Sequence, residues 1–125
     1  MVLIFGGAYQ GKLAYALSRF ELTEHDIYRC EEDCLMPGKA KIIYEIDKWI
    51  LAMVKADADV EGAVRKFLAE NADAIVICND ISCGVVPMDA VMRKWREAVG
   101  RSLSILSQAS DEVIRLFCGI PTRLK

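Results

Sequence analysis

Short runs of consecutive apolar residues alternate along this chain with stretches whose apolar positions recur every three or four residues. Val2 to Phe5 is a β-rich apolar run that stops at Gly6-Gly7, and it predicts a buried strand. From Lys12 to Phe20, Leu13, Ala16, Leu17 and Phe20 share one face, which predicts an amphipathic helix. Asp26 to Cys30 reads as a short second strand. Glu31 to Lys39, with its charges, Pro37 and Gly38, reads as a loop. Ala40 to Ile46 predicts a third strand. Asp47 is placed to cap a helix running to about Lys55, and Asp59 to cap the next, whose stripe is Val60, Val64, Phe67 and Leu68. Ala74 to Cys78 predicts a fourth buried strand ending at Asn79-Asp80, and a small-residue turn follows through Gly84 to Pro87. The longest helix is expected from about Met88 to Ser107, with Val91, Trp95, Val99, Leu103 and Leu106 stepping by three and four. Gly100 inside it is read as a close packing contact. Val113 to Cys118 predicts a fifth strand, and Gly119 to Pro121 turns the chain into a short tail.

Strands alternating with helices imply a mostly parallel central sheet covered on both faces. At 125 residues the chain fits one domain, and its 54% apolar content is enough to bury a core without disulfides. The formal charge of −2 argues against a general nucleic-acid binder, which would carry a basic stripe. It leaves room for a small anion held at one local site. No segment is long and apolar enough to span a membrane, and Val2 to Phe5 is too short for a signal peptide, so the cytoplasm is the expected compartment. The five cysteines, Cys30, Cys34, Cys78, Cys83 and Cys118, are odd in number and read as thiols. Cys30, Cys34, Cys78 and Cys83 have spacings too loose for a persuasive zinc site.

The strongest local chemistry is Gly6-Gly7-Ala8-Tyr9-Gln10-Gly11-Lys12-Leu13. A glycine, four residues and then glycine-lysine, set between an apolar strand and an amphipathic helix, is the spacing of a phosphate-binding P-loop. Its glycines let successive backbone N–H groups curl around phosphate oxygens. The helix N-terminus adds a positive dipole end, and Lys12 reaches the terminal phosphates as the catalytic cation. The competing reading is a glycine turn that binds nothing. Leu13 departs from the motif, which carries a serine or threonine hydroxyl there to ligate Mg²⁺. Two acids at predicted strand ends, Glu45 and Asp80, are the candidate metal carboxylates, because open parallel sheets bind ligands at the carboxyl ends of their strands. Each reads equally well as a cap or a solvated turn residue. His25, the single histidine, reads as an exposed loop residue.

The C-terminal half narrows the choice among P-loop proteins. Asn79 to Pro87 is similar to a segment written N-E-V-G-x-G-I-V-P. Gly100-Arg101, then Ala109-Ser110-Asp111-Glu112-Val113, Gly119-Ile120-Pro121 and Leu124-Lys125 follow in the order G-R, A-D-E-V, G-I-P and terminal L-K. Gly6-Gly7-Ala8 with Gly11-Lys12 resembles T-G-G-A-R-S-G-K-S. Ile43 to Trp49 resembles, with a one-residue gap, L-L-D/E-C-L-T-x-W, which would place Glu45 on a nucleotide-site acid. With these segments the chain resembles a shortened member of the adenosylcobinamide kinase / adenosylcobinamide-phosphate guanylyltransferase family. The resemblance covers the first twenty residues and Ala74 to Lys125 better than the middle. It departs at Leu13 for serine, Phe5 for threonine and Ser82 for glycine.

The resemblance implies a three-layer P-loop NTPase (RecA-like) α/β fold. It implies a purine nucleotide, GTP or ATP, bound with Mg²⁺, and a corrinoid whose aminopropanol arm is phosphorylated and then guanylylated. It also implies a homo-oligomer, a trimer. Such proteins carry R-I-x-x-H-R-x-x-R-P after the second strand, and its histidine accepts GMP covalently. Here Tyr28-Arg29-Cys30 runs through a short loop to the third strand instead, and His25 precedes the second strand. The expected function is therefore a kinase-like homologue without the guanylyl-histidine step. A non-catalytic nucleotide-binding or regulatory protein derived from the same family, and a different small P-loop phosphotransferase, stay open beside it.

Overall fold

A computed structural model of the chain describes residues 1–8, 10–33, 35–81 and 89–125. Its centre is a six-stranded sheet built from β1 (Val2–Gly6), β2 (Ile27–Arg29), β3 (Ile42–Tyr44), β4 (Ile75–Asn79), β5 (Glu112–Phe117) and β6 (Ile120–Arg123). The strand order is β2-β3-β4-β1-β5-β6. The first five strands in that order run parallel, and β6 pairs antiparallel with β5. Helices α1 (Lys12–Arg19), α2 (Ile46–Lys55), α3 (Val60–Glu70) and α4 (Ala90–Ala109) connect them. The expected α/β architecture with a mostly parallel sheet is what the chain adopts.

Strand geometry sends alternate side chains to opposite faces, and both faces are apolar. Leu3, Ile43, Val76, Cys78 and Val113 form one buried layer with Trp49 and Ile50 of α2, Phe67 of α3, and Val99 and Leu106 of α4. The rings of Trp49 and Phe67 meet at 5.8 Å between centroids. Ile4, Ile42, Ile75, Ile77, Ile114 and Leu116 form the other layer, against Ala16 of α1 with Leu13, Leu17 and Phe20 around it. Each fully buried aliphatic side chain contributes about 1.5–3 kcal/mol.

Three local readings are corrected. The segment from Gly119 onward is a hairpin return, not a tail: Ile120 to Arg123 pairs with β5 from Phe117 to Ile114. Pro121 is accommodated because β6 is an edge strand, where a missing N–H is tolerated. Asp47 is not the cap of α2; the helix begins at Ile46 with Glu45 in the cap position, and Asp47 lies inside its first turn. Gly100 is not a close contact, since a Cβ there would meet nothing within 4 Å. The cap expected at Asp59 is present, its carboxylate accepting from the Gly62 N–H at 3.1 Å. The turn expected at Gly84 to Pro87 lies outside the described residues.

Parallel pairing puts the ends of β1, β3 and β4 on one rim of the sheet. Gly6 is in register with Asn79, and the Asp80 N–H donates to the Gly6 carbonyl at 2.8 Å. The connections leaving that rim carry the candidate chemistry.

Candidate phosphate-binding site

The loop that leaves β1 is fixed by its glycines and by one side chain. A Cβ on Gly6 would lie 2.4 Å from the Leu116 carbonyl oxygen, so only glycine lets β5 approach at this point. Gly11 has φ 83° and ψ 22°, the left-handed shape that glycine adopts without penalty. Gln10 crosses to the β5–β6 turn, where its Oε1 accepts from the Cys118 N–H at 2.5 Å. Tyr9 lies outside the described residues. Helix α1 starts at Lys12 with no side-chain cap and no acid in its first turn. The positive end of its dipole and its first N–H groups are therefore not neutralised by the helix itself.

Lys12 folds back over the loop, and its Nζ donates to the Gly7 carbonyl at 2.7 Å. It is 6% exposed. Burial pulls its pKa below the ordinary lysine value, while the carboxylates of Asp47 first and Glu45 after it oppose that pull without cancelling it. An ammonium donates up to three hydrogen bonds, and among the described residues Lys12 uses one. Leu13 is half-buried and packs on the α1 face of the sheet, so it serves the core as well as bordering the site.

A cavity of about 620 Å³ opens against this loop. Gln10, Gly11, Lys12 and Leu13 line one side, and Tyr44, Glu45, Lys48 and Asn79 the other. The size lies in the range of small-molecule sites, about 300–1,000 Å³. Glu45 follows β3 in a left-handed conformation, φ 58° and ψ 50°, and its Oε2 lies 2.5 Å from Lys48 Nζ one turn later. Asp80, the other acid expected at the site, is not among the residues lining this cavity.

Asp47 competes with Glu45 for the site-acid role in the sequence but reads there as a cap, and Asn79 reads only as a strand end; the structure pairs the two. Asp47 is 3% exposed, and its Oδ1 accepts from the Asn79 N–H at 3.1 Å while its Oδ2 accepts from Asn79 Nδ2 at 3.3 Å. Its backbone carbonyl accepts from Trp95 Nε1 at 2.9 Å. Burial raises its pKa above the ordinary carboxylate value, against the hydrogen bonds from Asn79. The pair ties the start of α2 to the end of β4 directly beside the lysine. A carboxylate two residues beyond a strand-end acid was the available signal, and an equally good capping pattern concealed it.

The described residues lining the cavity do not fit a P-loop Mg²⁺ ion. The position after the lysine offers a methyl branch instead of a hydroxyl. Both oxygens of Asp47 are engaged by Asn79. Glu45 is the only carboxylate among the described residues lining the cavity, and an ammonium already sits at its oxygen. Among the described residues no group of three or more His, Cys, Asp or Glu side chains is placed to hold a metal. Cys30 and Cys78 are buried thiols, Cys30 pushed up to about 12 and Cys78 also raised, both by desolvation first. Cys34 and Cys83 lie outside the described residues.

His25 sits in the 3-10 turn, Glu24–Asp26, that leads into β2, and it is exposed. It is therefore at the rim where the parallel strands begin, opposite the loop. Between Arg29 and Ile42 the chain passes directly from β2 to β3 without an intervening helix or strand among the described residues. Of the segment from Asn79 to Pro87, Asn79 lines the cavity, and positions 82–87 lie outside the described residues.

Among the described residues no helix is long and apolar enough to cross a membrane. The model of the family described as cobinamide kinase / cobinamide phosphate guanyltransferase matches residues 32–124, about three quarters of the chain. The matched stretch begins after the glycine loop, so the loop is read on its own geometry. No curated protein matches the chain.

Proposed function

Since the chain belongs to the cobinamide kinase / cobinamide phosphate guanyltransferase family, we propose that it binds a purine nucleoside triphosphate, GTP or ATP, on the loop from Gly6 to Leu13. In this reading it transfers a phosphoryl group to a corrinoid alcohol in the cytoplasm, without a covalent guanylyl-histidine. The observation that carries the proposal is the buried Lys12, held over the loop by the Gly7 carbonyl beside an uncapped helix N-terminus. Backbone N–H groups of the loop and of α1 would hold phosphate oxygens, and the free donors of Lys12 would meet the terminal phosphates. Phosphoryl transfer asks little covalent chemistry of a protein, so positioning and charge are what these residues would supply.

The covalent GMP step needs an imidazole in line with the α-phosphate. The exposed His25, at the opposite rim, is not placed for it. Calorimetric titration of GTP and ATP into wild type and Lys12→Ala tests the site. A loss of more than tenfold is expected for the variant, because a charged donor to phosphate is removed. Equal affinities would rule the loop out. Intact mass after incubation with GTP should show no acid-labile gain of one GMP.

Leu13 favours a second reading, nucleotide binding without turnover. Phosphoryl transfer to cobinamide, followed by product mass, separates the two. Product formed in proportion to enzyme supports the first, and tight binding without product supports the second.

A further inference from the structure

The phosphate cavity carries a second lysine. Lys48 lies in the first turn of α2 and lines the wall that faces Lys12. On the surface of an ordinary helix, a lysine three residues after a glutamate is a weak, solvated pair. Here it stands in a different setting. The loop opposite has Leu13 where a metal-ligating hydroxyl would be. Glu45, the carboxylate of the cavity wall, has an ammonium 2.5 Å from its oxygen, in the space that a cation bound by that acid would need. Asp47, the next acid along, turns both oxygens to Asn79.

Resting on the nucleotide reading above, we propose that Lys48 supplies the second positive charge over the phosphate chain, in the role a divalent ion plays in other P-loops. The cavity would then take a nucleoside di- or triphosphate as the free anion. Lys12 and Lys48 differ in a way that suits two tasks. Lys12 is buried and fixed, whereas the Lys48 side chain is 47% exposed and free to swing. An ammonium is a compact charge with three rotatable donors, so Lys48 can keep one bond to Glu45 and turn another to a phosphate oxygen. Glu45 also holds Lys48 above the ordinary lysine pKa, so it stays charged at neutral pH.

The test is titration of GTP and of inorganic tripolyphosphate, each in EDTA and in Mg²⁺, into wild type, Lys12→Ala, Lys48→Ala and Lys48→Arg. Wild type should bind GTP in EDTA within about threefold of its affinity in Mg²⁺. Lys48→Ala should lose about tenfold in EDTA, the size of one charge-assisted contact, and Lys48→Arg should keep most of the affinity. Thermal melts check that each variant is folded. Lys48→Ala equal to wild type in EDTA, or a wild-type gain of more than tenfold from Mg²⁺, overturns the inference. If wild type binds neither probe, or Lys12→Ala binds as wild type does, the nucleotide reading itself fails. If Lys12→Ala weakens binding and Lys48→Ala does not, only the role of Lys48 falls.

Discussion

The connections from β1 to α1 and from β3 to α2 face each other across the cavity, and each turns into its helix through one left-handed residue. At the first it is Gly11, φ 83°, where a side chain would meet nothing within 4 Å. At the second it is Glu45, φ 58°. The left-handed shape costs an ordinary L-residue roughly 1–2 kcal/mol, and glycine escapes that cost. The β1 junction therefore avoids the strain and presents bare backbone to a ligand. The β3 junction accepts it and presents a carboxylate. Strain retained on a non-glycine residue at a cavity wall points to work done by its side chain, and here that side chain holds Lys48.

Substitutions at the two junctions can break this contrast. The largest effect is expected from Gly6→Ala, at the root of the first junction. The new methyl meets the Leu116 carbonyl at 2.4 Å, and backbone must move. A loss of about 3 kcal/mol is expected, from overpacking together with backbone strain, read by urea denaturation. A loss below ~1 kcal/mol would mean that β5 yields easily. Gly11→Ala should cost about 1–2 kcal/mol, from conformation alone. Glu45→Gly should go the other way. Relief of the left-handed strain, partly offset by glycine's greater freedom when unfolded, should leave stability unchanged or raised by up to ~1 kcal/mol. A clear loss there would show that the Glu45–Lys48 contact outweighs the strain.

The smallest effect concerns pH. Burial raises the folded-state pKa of Asp47 above its ordinary 3.8. Below the unfolded value the residue is protonated in both states and burial of charge costs nothing. As pH rises through the raised folded value, the cost appears and then stays constant. Asp47→Asn removes it, so the stability of the variant relative to wild type should climb with pH over that window and level off above it. Denaturation midpoints taken from acid to neutral pH would read the slope, and a flat difference would show that Asp47 titrates normally.

The same contrast explains what was legible in the sequence. A glycine before a lysine announces a left-handed turn and a bare loop, so the β1 junction was readable in residue letters. A glutamate before an isoleucine announces neither, and the capping pattern of Asp47 drew the eye from its burial against Asn79. The strands and helices with strong periodicity, β1, α3, β4 and α4, were placed to within a few residues. The exposed β6 has no buried face to impose alternation, and Gly119 and Pro121 mimic a coil, so it was missed. Lys48 was invisible for a third reason: its neighbours across the cavity are set by strand order, which local pattern does not encode.

The Gln10 bond to Cys118 has a temporal consequence. It joins residues 108 positions apart, and β1, from which the loop springs, is flanked on one side by β5. On the ribosome the loop emerges some 108 residues ahead of the turn that braces it, so the glycine loop must wait for that stretch to follow before it takes its shape. Contacts this distant in sequence form slowly. A nascent chain stalled before Glu112 would carry the entire glycine motif yet lack the strand and turn that brace it.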